Sequence, residues 1–292
     1  MPSNSFSNRR FFNHSSRASL LGVIALLITV TVSGCAAVPL REAGTLASYS
    51  NLGPLKGTLA KKRLYVDGQQ LARVKTVAIV PTVFSFSAAS KIKSEADRSL
   101  VSNALDRALC VALSDKYQMV PAGQPADLTV RSVVANIVPT NKAVAGLATV
   151  VSVGSGFALP VSVPRLPFGL GGLAIEAEAL DATGMQNAAM LWARGANSIQ
   201  DNPRVSEVGD AYGLATKFAS DFSQVLIAGK EPKGLNLSLP SRQRARSWLG
   251  GKPKYAACDA FGRAPGLLGI LASKYGAPPQ WTEKKPKPAM MH

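Results

Sequence analysis

The residue pattern predicts an α+β fold: a two-layer sandwich with a mostly antiparallel sheet and helices on one side. Three observations predict it. Short apolar or alternating runs of strand length recur through the middle of the chain. Two longer stretches carry an apolar stripe at helical spacing. The order in which they follow one another, β-α-β-β-β-β-α, is that of a sheet with two helices laid on it.

Val77-Ala78-Ile79-Val80, closed by Pro81, is a continuous apolar run of the kind that forms a strand buried on both faces. Ser94-x-x-Asp97 then resembles a capping box, with Glu95 and Asp97 at the positive end of the helix dipole. Val101, Ala104, Leu105, Ala108, Leu109, Ala112 and Leu113 follow at i, i+3, i+4 spacing, one stripe facing a sheet. Tyr117–Val120 and Asp127–Val138 read as two strands around a turn at Pro121–Pro125. Leu173–Leu180 alternates, with Ile175, Ala177 and Ala179 on one face and Glu176 and Glu178 on the other. Asp181-Ala182-Thr183-Gly184 supplies a hairpin turn, and Met190–Ala196 returns as the partner strand. The second helix runs from about Glu207 to Ala228 and presents Leu214, Phe218, Phe222, Val225 and Leu226; Gly229 stops it.

The ends of the chain set an expected compartment. Arg9, Arg10 and Arg17 are the only charges before an apolar run from Leu20 to Val32. At about 13 residues that run falls short of the roughly 20 a spanning helix needs, so residues 1–34 read as a secretory leader. Its end, Val32-Ser33-Gly34-Cys35, resembles the bacterial lipobox, which makes Cys35 the expected lipidation site and a covalent lipid the anchor. Ala36 in place of an aspartate favours the outer membrane, facing the periplasm. Asn8-Arg9-Arg10-Phe11-Phe12 also has some likeness to a twin-arginine signal. Residues 35–72 read as a tether that wraps onto the domain at 73–229, and 230–292 as a basic C-terminal extension.

Gly44-Thr45-Leu46-Ala47-Ser48-Tyr49-Ser50-x-Leu52, then Tyr65-Val66-Asp67, Val77–Pro81 and Ile175-Glu176-Ala177-Glu178-x-x-Asp181-x-x-Gly184 occur in an order and spacing that resemble a family of bacterial lipoproteins, domain of unknown function 3313. The likeness runs from the lipobox to roughly residue 228. It implies an envelope location and this fold class, and it brings no assigned activity or catalytic residues. At the level of fold alone, the succession of strand-Pro, helix, Asp-x-x-Gly hairpin and final helix is similar to outer-membrane lipoproteins of the curli-secretion-channel kind.

Charge and composition narrow the chemistry. Loss of residues 1–34 removes three arginines and no acid, leaving 30 basic and 17 acidic residues and a single histidine, His292. No His-dependent triad, HExxH zinc site or multi-His metal cluster can then be built, so neither metal nor cofactor is expected. Glu176 and Glu178 could be drawn as an acid/base pair for glycan cleavage, yet alternating carboxyls on a solvent-facing sheet surface are far commoner. Ser90-x-x-Lys93 lacks companion motifs, and Gly169-x-Gly171-x-x-Ala174 precedes a strand where a dinucleotide loop would follow one. No catalytic residue is assigned. Cys110 and Cys258 remain after Cys35 is acylated; they are either bridged, as an oxidising compartment favours, or two unpaired and partly buried thiols, with Cys110 placed on the polar face of its helix.

Two segments carry the functional expectations. Ala143–Leu173 holds one charge, Arg165, among apolar residues and glycines. It is either a membrane-dipping or oligomer-forming hairpin, making a pore or secretion subunit, or an apolar flap over the open sheet face. The extension has 12 basic against three acidic residues. Arg242, Arg244, Arg246, Trp248, Lys252 and Lys254 are its expected contacts with an anionic lipid surface or cell-wall polymer, nucleic acid being excluded by export; the alternative is a solvated basic tail. Pro265–Tyr275 reads as a short helix ended by Gly276. The expected role is a non-enzymatic docking or assembly module.

Overall fold

The computed structural model describes residues 38–146, 169–197, 201, 204–232, 241–284 and 286. Cys35 and its lipobox lie outside the described residues, as does most of the apolar segment, 147–168.

The sheet has seven strands among the described residues: β1 (Ala60–Val66), β2 (Thr76–Ile79), β3 (Val83–Phe84), β4 (Gln118–Val120), β5 (Leu128–Val138), β6 (Gly172–Asp181) and β7 (Gln186–Gly195). Their spatial order is β1-β7-β6-β5-β2-β4, with β3 also paired to β5. The long pairings β1–β7, β5–β6 and β6–β7 are antiparallel, whereas the short ones of β2 and β3 are parallel. This is the expected α+β two-layer sandwich. The β6–β7 turn is held by Asp181, whose Oδ1 accepts from Thr183 N–H at 2.8 Å and Met185 N–H at 3.0 Å, and Gly184 takes φ +83°.

Two strands were missed, the two-residue β3 and the longer β1; β1 is the instructive one. Lys61, Lys62 and Arg63 interrupt its hydrophobic alternation, so its sequence reads as tether; as an edge strand beside β7 it can keep charged heads in water while its backbone pairs. After it come two one-turn helices, α1 (Gly68–Leu71) and α2 (Phe86–Ala89).

The two main helices, α3 (Glu95–Leu113) and α4 (Gly209–Ala228), pack against each other and on one face of the sheet. Ser94 caps α3 by accepting from Asp97 N–H at 3.2 Å, and Gly229 ends α4 in the left-handed region at φ +63°. Their stripes meet Ile175, Ala177, Met190 and Trp192 in the main core. Trp192 packs edge-on against Phe218, 5.7 Å between centroids, and donates its indole N–H to Asp221 at 2.9 Å. The outer side of α3 is buried as well. Asp106 accepts from Thr82 N–H at 2.9 Å, and burial pushes its carboxyl up to about 7.

What buries that outer side is the C-terminal extension. Residues 241–284 are not a loose tail: they form α5 (Arg242–Trp248), a 3₁₀ helix (Ala256–Phe261), α6 (Gly266–Lys274) and α7 (Pro279–Thr282), laid against α3 and α4. Cys110 and Cys258 form a disulfide with Cα atoms 5.6 Å apart. The expectation that Cys110 lies on a polar, exposed face is therefore corrected: it is 1% exposed, because the 3₁₀ helix lies over it.

Candidate functional site

Two regions gather polar side chains that a folded chain does not bury without reason. The first lies on the sheet face away from the helices. Residues 38–59 cross this face as a strap, with Val38 on Ala174 and Ala193, and Leu46 and Leu52 on Ala189 and Leu191. Gly172 is required beneath it, since a Cβ there would stand 2.1 Å from a Val38 methyl. Glu176 and Glu178 project into this contact and are 1% and 0% exposed. Solvent exposure, the expectation for these two carboxyls, is thus overturned; the strap covers them. Glu176 accepts from Ala43 N–H at 2.6 Å, from Thr45 N–H at 3.2 Å, from the Tyr49 hydroxyl at 2.6 Å and from the Thr45 hydroxyl. Glu178 accepts from Ala47 N–H at 2.9 Å, from Gln186 Nε2 at 2.6 Å and from its cross-strand neighbour Arg131. Burial, followed by the bond to Glu176, pushes the Tyr49 phenol up. Engaged by backbone and side-chain donors together, the two carboxyls clip the strap to the sheet. The strap also occupies the sheet face over which the apolar segment had been expected to fold.

The second region is a cavity of about 390 Å³ between the helix layer and the extension, within the size range of small-molecule sites. Its walls are largely apolar: Ala104, Ala108 and Val111 from α3, Gly213 from α4, Trp248 from α5, and Pro265 and Ile270 from the start and inner side of α6. Small residues on α3 and α4 leave the space open. Gly213 is the telling one, for a glycine in mid-helix costs about 1 kcal/mol relative to alanine, and the atom nearest its absent Cβ is Nη1 of Arg204 at 3.9 Å.

Three guanidinium groups converge on this space. Arg107 donates to Glu283 and to Phe261 O at 3.3 Å, and its other amino group donates to the Tyr212 hydroxyl at 3.3 Å. Glu283 also accepts from Tyr212, whose phenol burial drives upward, with the Glu283 charge adding to the shift. Arg204 lies over the Tyr212 ring, 5.0 Å from its centroid, and Arg244 over Trp248 at 5.4 Å. Arg204 and Ser247 belong to the cavity lining, and within its wall Nη1 of Arg204 and Oγ of Ser247 are buried without a hydrogen-bond partner.

The six residues expected to meet an anionic surface are divided by this arrangement. Arg244 and Trp248 line the cavity. Arg242, Arg246, Lys252 and Lys254 stay exposed, although the Lys254 ammonium donates to Ser114 O at 3.0 Å and sits over Tyr255. Sequence reasoning missed Arg107, Arg204, Tyr212 and Glu283. Two signals were available: an arginine three residues before Cys110, amid the alanines and leucines of its helix, and one of only three acids in the basic extension.

Among the described residues, no helix is long and apolar enough to cross a membrane. The outer face of α6, however, exposes Leu267 (62%), Leu268 (82%), Leu271 and Tyr275, and α7 packed beside it exposes Trp281 (81%). Gly250 backs onto Gly266, which brings Trp248 and Leu249, also exposed, to the start of this ridge. Lys274 and Lys284 stand exposed at its two ends.

Among solved structures, the chain is similar to the PelC dodecamer from Paraburkholderia phytofirmans, with 10% identity, a TM-score of 0.34, and 60% of this chain and 99% of that one covered. It is also similar to a substituted form of that dodecamer in another crystal form, with 11% identity, a TM-score of 0.30 and the same coverage. A search of curated proteins returned no match. A family model matches residues 41–222, from the strap through most of α4. By that match the chain belongs to the family described as Protein of unknown function (DUF3313).

Proposed function

We propose that this protein is a lipid-anchored, periplasm-facing lipoprotein of the outer membrane that works without catalysis, as a docking module resting on an anionic membrane surface. The observation that carries the reading is the ridge of Leu267, Leu268, Leu271, Tyr275 and Trp281, apolar, exposed and flanked by Lys274 and Lys284. Large apolar side chains grouped in this way mark an interaction surface, and aromatic residues beside basic ones suit the headgroup region of a bilayer. The lipobox ending at Cys35 supports a lipid anchor, and the Cys110–Cys258 disulfide supports an oxidising compartment. The engagement of Glu176 and Glu178 by the strap supports a role other than glycan hydrolysis.

Flotation of the full chain carrying Cys35→Ser tests the surface. It is expected to rise with vesicles of phosphatidylglycerol and phosphatidylethanolamine, and at least tenfold less with the added pair Leu268→Glu and Trp281→Glu. Equal flotation of the two proteins, or none of either, ends the surface reading. In cells, incorporation of labelled palmitate should vanish with Cys35→Ala; persistent label would remove the anchor.

A further inference from the structure

We infer that the cavity between α3, α4 and the C-terminal extension is a binding site for a single-chain anionic amphiphile, an alkyl chain ending in a carboxylate or phosphate. Three features of the site fix that chemistry. The apolar walls formed by Ala108, Val111, Pro265 and Ile270 take alkyl surface out of water, which is favourable in proportion to the area covered. On the polar side Arg204 and Arg244 line the cavity; an anionic oxygen in that space would take a charge-assisted hydrogen bond from a guanidinium there, and Nη1 of Arg204, packed in the wall, has no acceptor of its own. Ser247 lines the same cavity, with its hydroxyl packed in the wall and without a partner. The charges of Asp210, Glu283 and Asp201 act on Arg204, but none of these carboxylates accepts a hydrogen bond from its Nη1.

The position of the cavity fits such a ligand. Helix α6 turns Ile270 and Ser273 toward it and Leu267, Leu268 and Leu271 toward solvent, so one helix separates the cavity from the ridge assigned to the membrane surface. The inference draws on that assignment for the source of the ligand only. The test contains no membrane, so loss of ligand binding and loss of vesicle binding are separate results.

Delipidated full chain carrying Cys35→Ser would be titrated calorimetrically with dodecanoate, dodecyl phosphate and dodecanol below their micellar concentrations. One saturable site per chain is expected for the anionic probes, at least tenfold tighter than dodecanol. The tighter of the two anions tells whether a fatty acid or a phospholipid-type headgroup is the natural source. Arg204→Gln should bring the anionic probes down to the affinity of dodecanol while leaving dodecanol unchanged; parallel weakening of all three would reduce Arg204 to a structural role and overturn the headgroup assignment. Gly213→Leu should fill the cavity and abolish binding, and Ala108→Leu, on the half-exposed wall of α3, repeats the test should the first variant not fold. Unsaturable binding, equal affinity for dodecanol, or full affinity in a filled cavity would overturn the site.

Discussion

Two coverings close this fold, one on each layer, and they are held by opposite means. The strap, residues 38–59, lies on the free face of the sheet and falls within the span that defines the family; residues 241–284 lie on the helices and fall beyond it. The strap is held by apolar contacts and by polar bonds to two buried carboxyls along its length. The extension is tied at separate points, by the disulfide to α3 and by Glu283 to Arg107 and Tyr212. A covering pinned at separated points can bridge a void that free packing would tend to collapse. The clipped covering is thus a structural device, and the bridged one is the place to seek a ligand.

The largest test of this contrast removes the staple. A disulfide spanning 148 residues constrains the unfolded chain by about 5 kcal/mol on chain-entropy grounds, with measured losses usually about 2–5. Cys110→Ala with Cys258→Ala should split thermal unfolding into two transitions and expose residues 241–284 to protease well before the sheet. A single transition within about 1 kcal/mol of the native protein would mean that the extension packs without its staple, and the contrast would fail.

Sequence alone displays the main layers clearly because the alternation of β6 and the stripes of α3 and α4 obey the periods of strand and helix. It displays the coverings poorly. β1 is an edge strand whose lysines and arginine break the pattern. Glu176 and Glu178 look like solvent-facing residues, since alternation assigns a side chain to a face without saying what lies on that face. Cys110 and Arg107 fall off the apolar stripe of α3 and read as surface for the same reason. All of these depend on segments more than a hundred residues away, beyond the reach of local periodicity. The cavity was half visible: Arg244 and Trp248 stood out in sequence, but as parts of a flat basic surface.

An intermediate effect is expected from the clip of the strap. Glu176→Ala would leave the amide of Ala43 and the hydroxyls of Thr45 and Tyr49 without their acceptor, at a cost of about 3 kcal/mol. That corresponds to a fall of roughly 6–12 °C in Tm for a domain of this size. Protease should then cut within residues 38–59 first, while dodecanoate binding at the opposite layer stays as it was. A change in ligand affinity would show that the two coverings are coupled through the sheet, and their separation would have to be abandoned.

The smallest effect concerns the seam between the strap and the chain just past α4. Lys56, at the end of the strap, donates to Glu231, just past α4, at 2.6 Å, and Lys62 of β1 adds a second contact at 3.6 Å. The hydrogen bond from Lys56 holds the Glu231 carboxyl below its ordinary value of 4.5. A carboxyl depressed in the folded state contributes stability above its unfolded value and loses it as pH falls through its folded one. Lys56 is more than half exposed, so solvent screening keeps the pair to about 0.5 kcal/mol. Glu231→Gln should therefore lower stability by that amount at pH 7, by progressively less as the pH falls below 4.5, and by less in high salt, as urea titrations over a pH series would show. A loss several times larger at pH 7 would mean that this contact locks strap and extension into one cooperative unit.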